Sequence, residues 1–179
     1  NAIKALDNYL SNPRFIESTR LAPFKLRGSD VNVVLDVMIH DIDIMNCIVK
    51  RPIQAVQASG SLVLTDRIDI ANARLHFESG CVANVTASRV SLKTERKMRV
   101  FQHDTYLSLD FQGKQASICT KGKGEMFPGI PNIKRDVFKA NKKADALYDE
   151  IEAFVTAILE DTDPLVSGVD GKNALASAL

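Results

Sequence analysis

Hydrophobic residues recur at helical spacing in several stretches of the chain. This spacing predicts helices over residues 2–11, 31–49 and 144–161, and a further helix that begins near Asp170. The second helix follows Ser29 and Asp30, either of which can cap its N-terminus, and it ends at a Lys-Arg-Pro sequence. The helix over 144–161 carries its large apolar side chains on one face, which is typical of an amphipathic helix.

Elsewhere the hydrophobic pattern repeats every two residues, as in β-strands. The predicted strands are residues 14–24, 53–65, 69–79, 81–91, 97–111 and 115–120. Turn sequences at 78–81 and 111–115 predict antiparallel hairpins, and the Gly- and Pro-containing segment 121–136 predicts a surface loop with one short strand near its end. Together these elements predict an α+β domain, with a large, mostly antiparallel open sheet packed by helices on one face.

Composition and charge argue against a nucleic-acid-binding protein and against a membrane-spanning one. The 179 residues suffice for one domain, and 23 basic and 22 acidic residues are interspersed along the chain. Because no basic face is apparent, we expect no nucleic-acid partner, and the basic segment 91–99 is interpreted as a solvated loop and strand edge. No run of about 18 apolar residues predicts a membrane span.

The cysteines indicate the cellular location of the protein, and the first residues indicate whether the chain is part of a longer one. Cys47, Cys81 and Cys119 are odd in number and widely spaced, which indicates reduced thiols and a cytoplasmic protein rather than a disulfide framework. The chain opens with Asn inside a helical pattern, so we expect it to be part of a longer protein.

The helix over residues 31–49 is apolar except for one polar stripe. Its members follow one another at steps of four, four, three and four residues, and they are Asn32, Asp36, His40, Asp43 and Cys47. Such a stripe must face water, a cleft or internal partners, because burying unpaired polar groups costs several kcal/mol. Asp41 lies off the stripe and is expected to bond to a neighbouring loop.

Two interpretations of the stripe remain open on the residues alone. Asp36 and His40 are four residues apart on a helix, so they can touch, and a carboxylate beside an imidazole suits general acid–base chemistry. Equally, the pair can be a structural one that only fixes the helix. A metal site is not favoured, since the helix has no second His, and His76 and His103 are interpreted as ordinary residues of strands.

The stripe and the segments after it carry a resemblance to a known family. The segments "VVLDVMIHDIDIM", "PIQAVQASG" and "ANARLHFESGCVANVTASRVS" resemble the C-terminal domain of the glucose–fructose oxidoreductase, inositol dehydrogenase and rhizopine-catabolism (GFO/IDH/MocA) family. The resemblance covers nearly the whole chain. It implies a fold like the C-terminal domain of dihydrodipicolinate reductase, and an NAD- or NADP-dependent oxidoreductase acting on sugars, cyclitols or sugar nucleotides.

The resemblance also implies roles for residues. The family's catalytic Asp and His correspond to Asp36 and His40, with His40 as the acid/base. The family's Glu-Lys-Pro lysine and its dinucleotide-binding fingerprint are absent here, and no GxGxxG or P-loop sequence occurs. Residues 1–179 are therefore expected to be a substrate-binding and oligomerisation domain whose N-terminal dinucleotide-binding domain is missing. No cofactor-binding residue is expected in this chain, which alone should be inactive and bind NAD only weakly.

Within the family, "PRFIESTRLAPF" followed by "RGSDVNVVLDVMIHDIDI" is most similar to the branch that oxidises the 3-hydroxyl of UDP-N-acetylglucosamine. Candidate substrate contacts are then Arg20, Asp43, Asn32 and Glu17. Arg20 suits a diphosphate, but Arg20 and Glu17 should point to opposite faces of a strand. Arg89 and Lys93 are weaker candidates, for which surface solvation is expected.

The predicted sheet raises the question of what covers it. The two or three predicted helices are not expected to cover all the apolar residues of the strands. The residues concerned are Val63, Ala73, Val85, Ala87 and Val100. Family members assemble through this sheet, so a homo-oligomer through the open face is expected. The alternative to a catalytic half is a non-catalytic binding or oligomerisation module of the same fold.

Overall fold

A computed structural model of the chain describes residues 8–26, 28, 30–139 and 145–179. The strands are β1 Phe15–Leu21, β2 Ile53–Ser61, β3 Ile70–Phe77, β4 Val82–Ser88, β5 Glu95–Gln102, β6 Thr105–Asp110, β7 Gln115–Phe127 and β8 Ile130–Lys139. A π-helical turn, Val34–Met38, runs into α1 Ile39–Val49, and α2 Ala146–Leu159 and α3 Gly168–Ala178 follow β8. No helix in these described ranges is long and apolar enough to cross a membrane.

The strands form an eight-stranded sheet in the order β2-β3-β4-β1-β5-β6-β7-β8. β1 is parallel to β4, and every other neighbouring pair is antiparallel. The hairpins expected at residues 78–81 and 111–115 are confirmed as the β3–β4 and β6–β7 connections. The mostly antiparallel open sheet of the sequence prediction is therefore confirmed.

One face of the sheet forms the core with α1. Strand residues that alternate toward this face are buried, including Ile16 of β1, Val85 of β4 and Val100 of β5. α1 contributes Ile42 and Met45 to the same cluster, and α3 packs against α1. The alternation of apolar and polar positions thus orients the sheet and gives α1 a fixed position over β1 and β4.

The sequence analysis expected that the helices would not cover all five of these apolar residues. That expectation is wrong for four of them. Ala73, Val85, Ala87 and Val100 lie on the helix-covered face and are at most 5% exposed. Val63 is 55% exposed, but it lies beyond the end of β2. The error arose because strand period alone does not say which face of the sheet a given residue joins.

The second face of the sheet carries mainly polar side chains. Glu17 on β1 forms an ion pair with Arg99 on β5 at 2.7 Å. Beside them, the ring of Phe101 lies between those of Phe15 and Tyr106, with centroid distances of 6.0 and 5.0 Å. This face is referred to below as the open face.

Two predicted segments differ from the structure. Residues 97–111 are two strands, because the chain turns at His103 and Asp104, where Asp104 adopts a positive φ of 57°. The predicted loop over 121–136 is instead a long hairpin of β7 and β8, whose turn contains Gly129 at φ +80°. Neither turn carries the Asn-Gly or Asp-Gly sequence that marks a hairpin most strongly.

The helix ends also depart in part from the prediction. Asp30 does not cap the second helix: the side-chain oxygen of Asn32 accepts the N–H of Leu35 at 2.9 Å. The helix does end at Val49, with Lys50 in the left-handed conformation. Ser29 and most of the helix predicted over 2–11 lie outside the described residues, and residues 8 and 9 form a turn.

The two C-terminal helices form where the sequence predicts them. α2 is capped by Asp145, and α3 by Ser167, which exchanges hydrogen bonds with Asp170 in a capping box. The large apolar side chains of α2 are nevertheless 45–81% exposed; they are Leu147, Ile151, Phe154, Val155, Ile158 and Leu159. The amphipathic face of α2 is therefore uncovered by the described residues.

Candidate active site

The π-helical turn and α1 place the polar stripe on the side of the helix that faces away from the core. Asp36, His40 and Cys47 are exposed, whereas Asn32 and Asp43 are partly buried. Between these positions the helix is anchored by buried residues such as Met38, Ile42 and Met45. The stripe is thus brought together as one accessible surface, while the rest of the helix is fixed by packing.

Asp36 and His40 share this surface, but they are not paired with each other. Among the described residues, no hydrogen bond or ion pair joins the two side chains. The Asp36 carboxylate lies instead over Gly28, where a Cβ built on the glycine would be 2.9 Å from Oδ2. The four-residue spacing permits a bond between the two side chains, and the described residues show none.

The local helix geometry gives a reason for this separation. The N–H of Ile39 donates to the carbonyl of Val34, five residues earlier, so the turn that contains Asp36 is a π-helical turn. A π turn is wider than an α turn, which changes the angle between side chains four residues apart. Such turns are rare inside α-helices and often occur at functional sites.

Asp43 lies beside a carboxylate that the sequence analysis named only as a helix start. Asp170, at the N-terminus of α3, accepts hydrogen bonds from the N–H and hydroxyl of Ser167 at 2.8 and 2.7 Å, and these bonds lower its pKa. Burial, followed by the charge of Asp170, raises the pKa of Asp43, and the neighbouring His40 opposes that rise. The accessible surface therefore combines one imidazole with several carboxyl groups.

Asp170 was missed as a site residue because it is distant in the sequence. Only the packing of α3 on α1 brings it to Asp43, and no short motif encodes that packing. Its influence also reaches Cys47: burial, then the charges of Asp43 and Asp170, raise the pKa of this thiol, while Lys50 lowers it.

Arg20 and Asp41 form a bidentate ion pair between β1 and α1. Arg20 Nε donates to Oδ2 at 2.9 Å and Nη2 to Oδ1 at 2.7 Å, with side chains 13% and 2% exposed. Asp41 was expected to bond to a loop, but its partner is this strand residue. Two of the three guanidinium nitrogens of Arg20 are thus engaged within the protein.

The other two tentative contact residues have structural partners as well. Glu17 is on the open face, in its ion pair with Arg99, so the structure does not bring it to the helix side with Arg20. The opposite orientation of Glu17 and Arg20 agrees with the strand alternation. Asn32 is the first member of the stripe, and its side-chain oxygen is used in the helix cap.

Arg89 is not a solvated surface residue, as was expected. It is 4% exposed and pairs with Asp69, which is fully buried, at 2.8 Å between Nε and Oδ1. Lys93, in contrast, is exposed and pairs with Glu95, as its expected solvation implies. No buried side-chain nitrogen or oxygen in the described part of the chain lacks a hydrogen-bond partner.

The structure also shows where the basic segment 91–99 and the two remaining histidines lie. The basic segment 91–99 is solvent-exposed at its charged side chains, but β5 is an interior strand and not a sheet edge. His103 occupies the turn after β5 and is almost fully exposed, whereas His76 lies in β3 as expected. Within the described ranges, no three His, Cys, Asp or Glu side chains are grouped to hold a metal ion.

The accessible stripe is suited to proton transfer on a bound molecule. His40 has its imidazole exposed, and an imidazole can accept or donate a proton near neutral pH. The carboxyl groups of Asp36 and Asp43 lie on the same surface, where they can accept hydrogen bonds from hydroxyl groups.

Comparison with known proteins identifies relatives of the chain. Residues 14–117 match the model of the GFO/IDH/MocA C-terminal domain. The chain is 40% identical over 167 residues to UDP-N-acetylglucosamine 3-dehydrogenase of Acidithiobacillus ferrooxidans, covering 93% of this chain and 53% of that protein. It is 25% identical over 150 residues to myo-inositol 2-dehydrogenase of Thermotoga maritima, covering 80% of this chain and 43% of that protein.

Solved structures give the same relationship. A crystal structure of the Acidithiobacillus ferrooxidans UDP-N-acetylglucosamine 3-dehydrogenase superposes with a TM-score of 0.89 at 39% identity, over 99% of this chain and 56% of that one. Levoglucosan dehydrogenase in complex with NADH shares the fold, with a TM-score of 0.76 at 15% identity over 98% of this chain and 57% of that one. The chain spans about half the length of the curated relatives it matches.

Proposed function

The chain belongs to the GFO/IDH/MocA family, and we propose that it forms the substrate-binding and proton-transferring half of an NAD- or NADP-dependent dehydrogenase. The observation that carries the proposal is the exposed stripe with Asp36 and His40 on a helix that is otherwise anchored in the core. The proposed substrate is a sugar, cyclitol or sugar nucleotide.

In the proposed reaction, His40 removes the proton of a substrate hydroxyl. The carbon that bears this hydroxyl loses a hydride as the C–O bond becomes a carbonyl, so the substrate is oxidised by two electrons. A nicotinamide cofactor, when bound, supplies the hydride acceptor. Asp36 would hold or polarise the reacting group, since a carboxylate can accept a hydrogen bond from a hydroxyl group.

Cofactor binding is assigned mainly to a domain outside this chain. The described residues contain no strand, glycine-rich turn and helix in the order that cradles a dinucleotide. The uncovered apolar face of α2 supports the presence of a second domain, because exposed surfaces of this kind normally pack against another protein surface. We therefore assign residues 1–179 to one substrate-binding domain that completes its site against a dinucleotide-binding domain.

The substrate proposed first is UDP-N-acetylglucosamine, oxidised at its 3-hydroxyl. It is supported by the 40% identity to a dehydrogenase with that name. Asn32 and Asp43 remain proposed contacts because they belong to the stripe. Arg20 remains one through Nη1, the guanidinium nitrogen that the Asp41 pair does not use, whereas Glu17 is left out because it lies on the open face.

Assembly and location complete the proposal. We assign a homo-oligomer through the open face, whose ring cluster of Phe15, Phe101 and Tyr106 offers apolar contact within a polar surround. Three free thiols fit the cytoplasm as the proposed location.

The test is dehydrogenation by the whole protein that contains this chain. UDP-N-acetylglucosamine and myo-inositol would each be supplied with NAD or NADP, and reduced cofactor followed by its absorbance. We expect reduction with the sugar nucleotide and little with the cyclitol. Turnover of only the cyclitol would overturn the substrate, and a whole protein inert toward both would favour a non-catalytic module. The isolated chain is expected to be inactive and to bind NAD more weakly than micromolar.

A further inference from the structure

We propose that Gly28 and Arg89 are positioning residues for the reaction: Arg89 fixes the backbone of Gly28, and Gly28 sets the place of the Asp36 carboxylate in the stripe. This inference rests on the proposed function, since it supposes that Asp36 takes part in substrate oxidation. It adds two residues to the site that do not themselves touch the substrate.

The first step is the contact between Gly28 and Asp36. A Cβ on Gly28 would be 2.9 Å from Oδ2 of Asp36 and 3.1 Å from both Cγ and Oδ1. A Cβ at this position would therefore meet all three atoms of the carboxyl group and would force the Asp36 side chain to shift. Gly28 also has a φ of +78°, which residues with a side chain rarely adopt.

The second step is that little else holds the Asp36 side chain. It is exposed, and among the described residues its carboxylate makes no hydrogen bond or ion pair. The backbone of Gly28 lies against this carboxylate, so its position limits the Asp36 rotamer. A displacement of Gly28 would therefore change where the carboxylate lies.

The third step is the anchor behind Gly28. Arg89 Nη1 donates to the carbonyl oxygens of Gly28 at 2.7 Å and Val31 at 2.6 Å, while Nε donates to Asp69 at 2.8 Å and Nη2 to the hydroxyl of Thr65 at 3.3 Å. Arg89 is 4% exposed, and its guanidinium contacts two separate segments of the chain, one with Gly28 and Val31 and one with Thr65 and Asp69. It therefore fixes the segment before the helix relative to the end of β4.

This arrangement links a buried ion pair to the stripe by two short steps. Asp69 orients Arg89, Arg89 holds the Gly28 carbonyl, and the other side of Gly28 supports Asp36. A displacement of about 1 Å in a reacting group can cost on the order of 100-fold in rate. Substitutions of Arg89 and Gly28 should consequently lower kcat. Arg89 acts through Gly28, and Gly28 acts through its contact with Asp36.

The test compares Gly28→Ala with Gly80→Ala in the whole protein. Gly80 has nearly the same φ, +79°, so an alanine at either position would adopt a rarely populated backbone conformation. A Cβ on Gly80, however, would meet nothing within 4 Å. We expect Gly28→Ala to lower kcat by about 10-fold or more, up to about 100-fold, with thermal stability matching that of Gly80→Ala, which should keep wild-type kcat. Equal kcat in the two variants would overturn the inference.

Arg89→Lys provides the second variant, since a lysine keeps the charge but cannot make the same set of hydrogen bonds. We expect Arg89→Lys to lower kcat and to shift the pH–rate profile, while the KM for substrate changes less than kcat. Loss of stability alone would not change kcat more than KM in this way. An unchanged kcat in a folded Arg89→Lys protein would contradict the role of Arg89.

Crystal structures of the whole wild-type and Gly28→Ala proteins separate this inference from the proposed function. If the wild-type protein oxidises no substrate, the proposed function fails, yet a displaced Asp36 carboxylate in Gly28→Ala would still support the positioning contact. An unmoved carboxylate would overturn the contact whether or not the protein is active.

Discussion

Arg20 and Asp41 join the sheet to the helix that carries the candidate site, through two hydrogen bonds of 2.9 and 2.7 Å between one guanidinium and one carboxylate. Arg20 is on β1 and Asp41 is in the first turn of α1. The next residue back, His40, lies about 100° around the same helix and is exposed to solvent. The ion pair therefore contributes to the orientation of the stripe as well as to stability.

Removing Asp41 should destabilise the protein strongly. Asp41→Ala leaves the largely buried Arg20 without its partner, and breaking such a pair typically costs about 3–5 kcal/mol of the free energy of unfolding. The matched control is Lys93→Ala, which breaks an exposed pair with Glu95 and should cost less than about 1 kcal/mol. Urea unfolding followed by circular dichroism measures both. Similar small losses in the two variants would show that the Arg20 pair does not hold α1.

The Asp69 carboxylate predicts a specific dependence of stability on pH. Burial opposes its ionisation, but the hydrogen bonds from Arg89 and from the N–H groups of Leu64, Val63 and Thr65 outweigh burial and hold its pKa well below the ordinary value of 3.8. Because the pKa is lower in the folded state, this group stabilises the protein fully above about pH 4. That contribution falls as the pH drops below the unfolded-state pKa toward the folded-state pKa.

The variant Asp69→Asn isolates this contribution from the other carboxyl groups. We expect the difference in unfolding free energy between wild type and Asp69→Asn to be largest near pH 7 and to shrink from about pH 4 downward. Urea unfolding at several pH values between about 3 and about 7 gives the difference directly. A difference that stayed constant over this range would contradict the ionised, hydrogen-bonded state of Asp69.

Two of the three cysteines, Cys47 and Cys81, should react at different rates in the native protein. Burial raises the pKa of Cys81 to about 11, against a smaller opposing effect of Arg14, so this thiol should resist alkylation until unfolding. Cys47 is exposed and should be alkylated, although its raised pKa slows the reaction. Asp43→Asn should accelerate labelling of Cys47, because it removes a negative charge beside the thiol. Mass mapping after iodoacetamide treatment tests this, and labelling of Cys81 as fast as Cys47 would refute it.

The proposed assembly predicts an effect of charge on the open face. Thr19 lies on β1, in the middle of the sheet, and alternates toward that face. Thr19→Glu should place a charge in the interface and lower the molar mass measured by light scattering, while Lys93→Glu, outside the strands, should leave it unchanged. Circular dichroism confirms that both variants are folded. A wild-type protein that is monomeric at high concentration would contradict the assembly.

The fold and the stripe could be predicted from sequence because both depend on local periodicity. A period of two defined most strands, and the four-four-three-four spacing placed His40 and its neighbours on one side of a helix. The break between β5 and β6 was missed, since Asp104 takes its positive φ without an adjacent Gly or Pro. Sequence period also could not show that a π-helical turn separates Asp36 from His40.

Contacts between distant segments were beyond the sequence pattern. Asp41 was recognised as lying off the stripe, but its pairing with Arg20 depends on the phase of β1 relative to α1. Arg89 looked like a surface residue because charged residues are rarely buried unless they are paired, and its partner Asp69 is 20 positions away. These two buried ion pairs became evident only with the packing of the sheet.

The central claim is that His40 transfers the substrate proton, and the most direct test is the kcat of His40→Ala in the whole protein. His103→Ala is the matched control, because His103 is an exposed histidine in the turn between β5 and β6. With UDP-N-acetylglucosamine and the oxidised cofactor, we expect His40→Ala to lose about 10²- to 10⁴-fold in kcat, the usual contribution of a general base. His103→Ala should keep wild-type kcat. If His40→Ala and His103→Ala turned over at the same rate as wild type, His40 would not be the base.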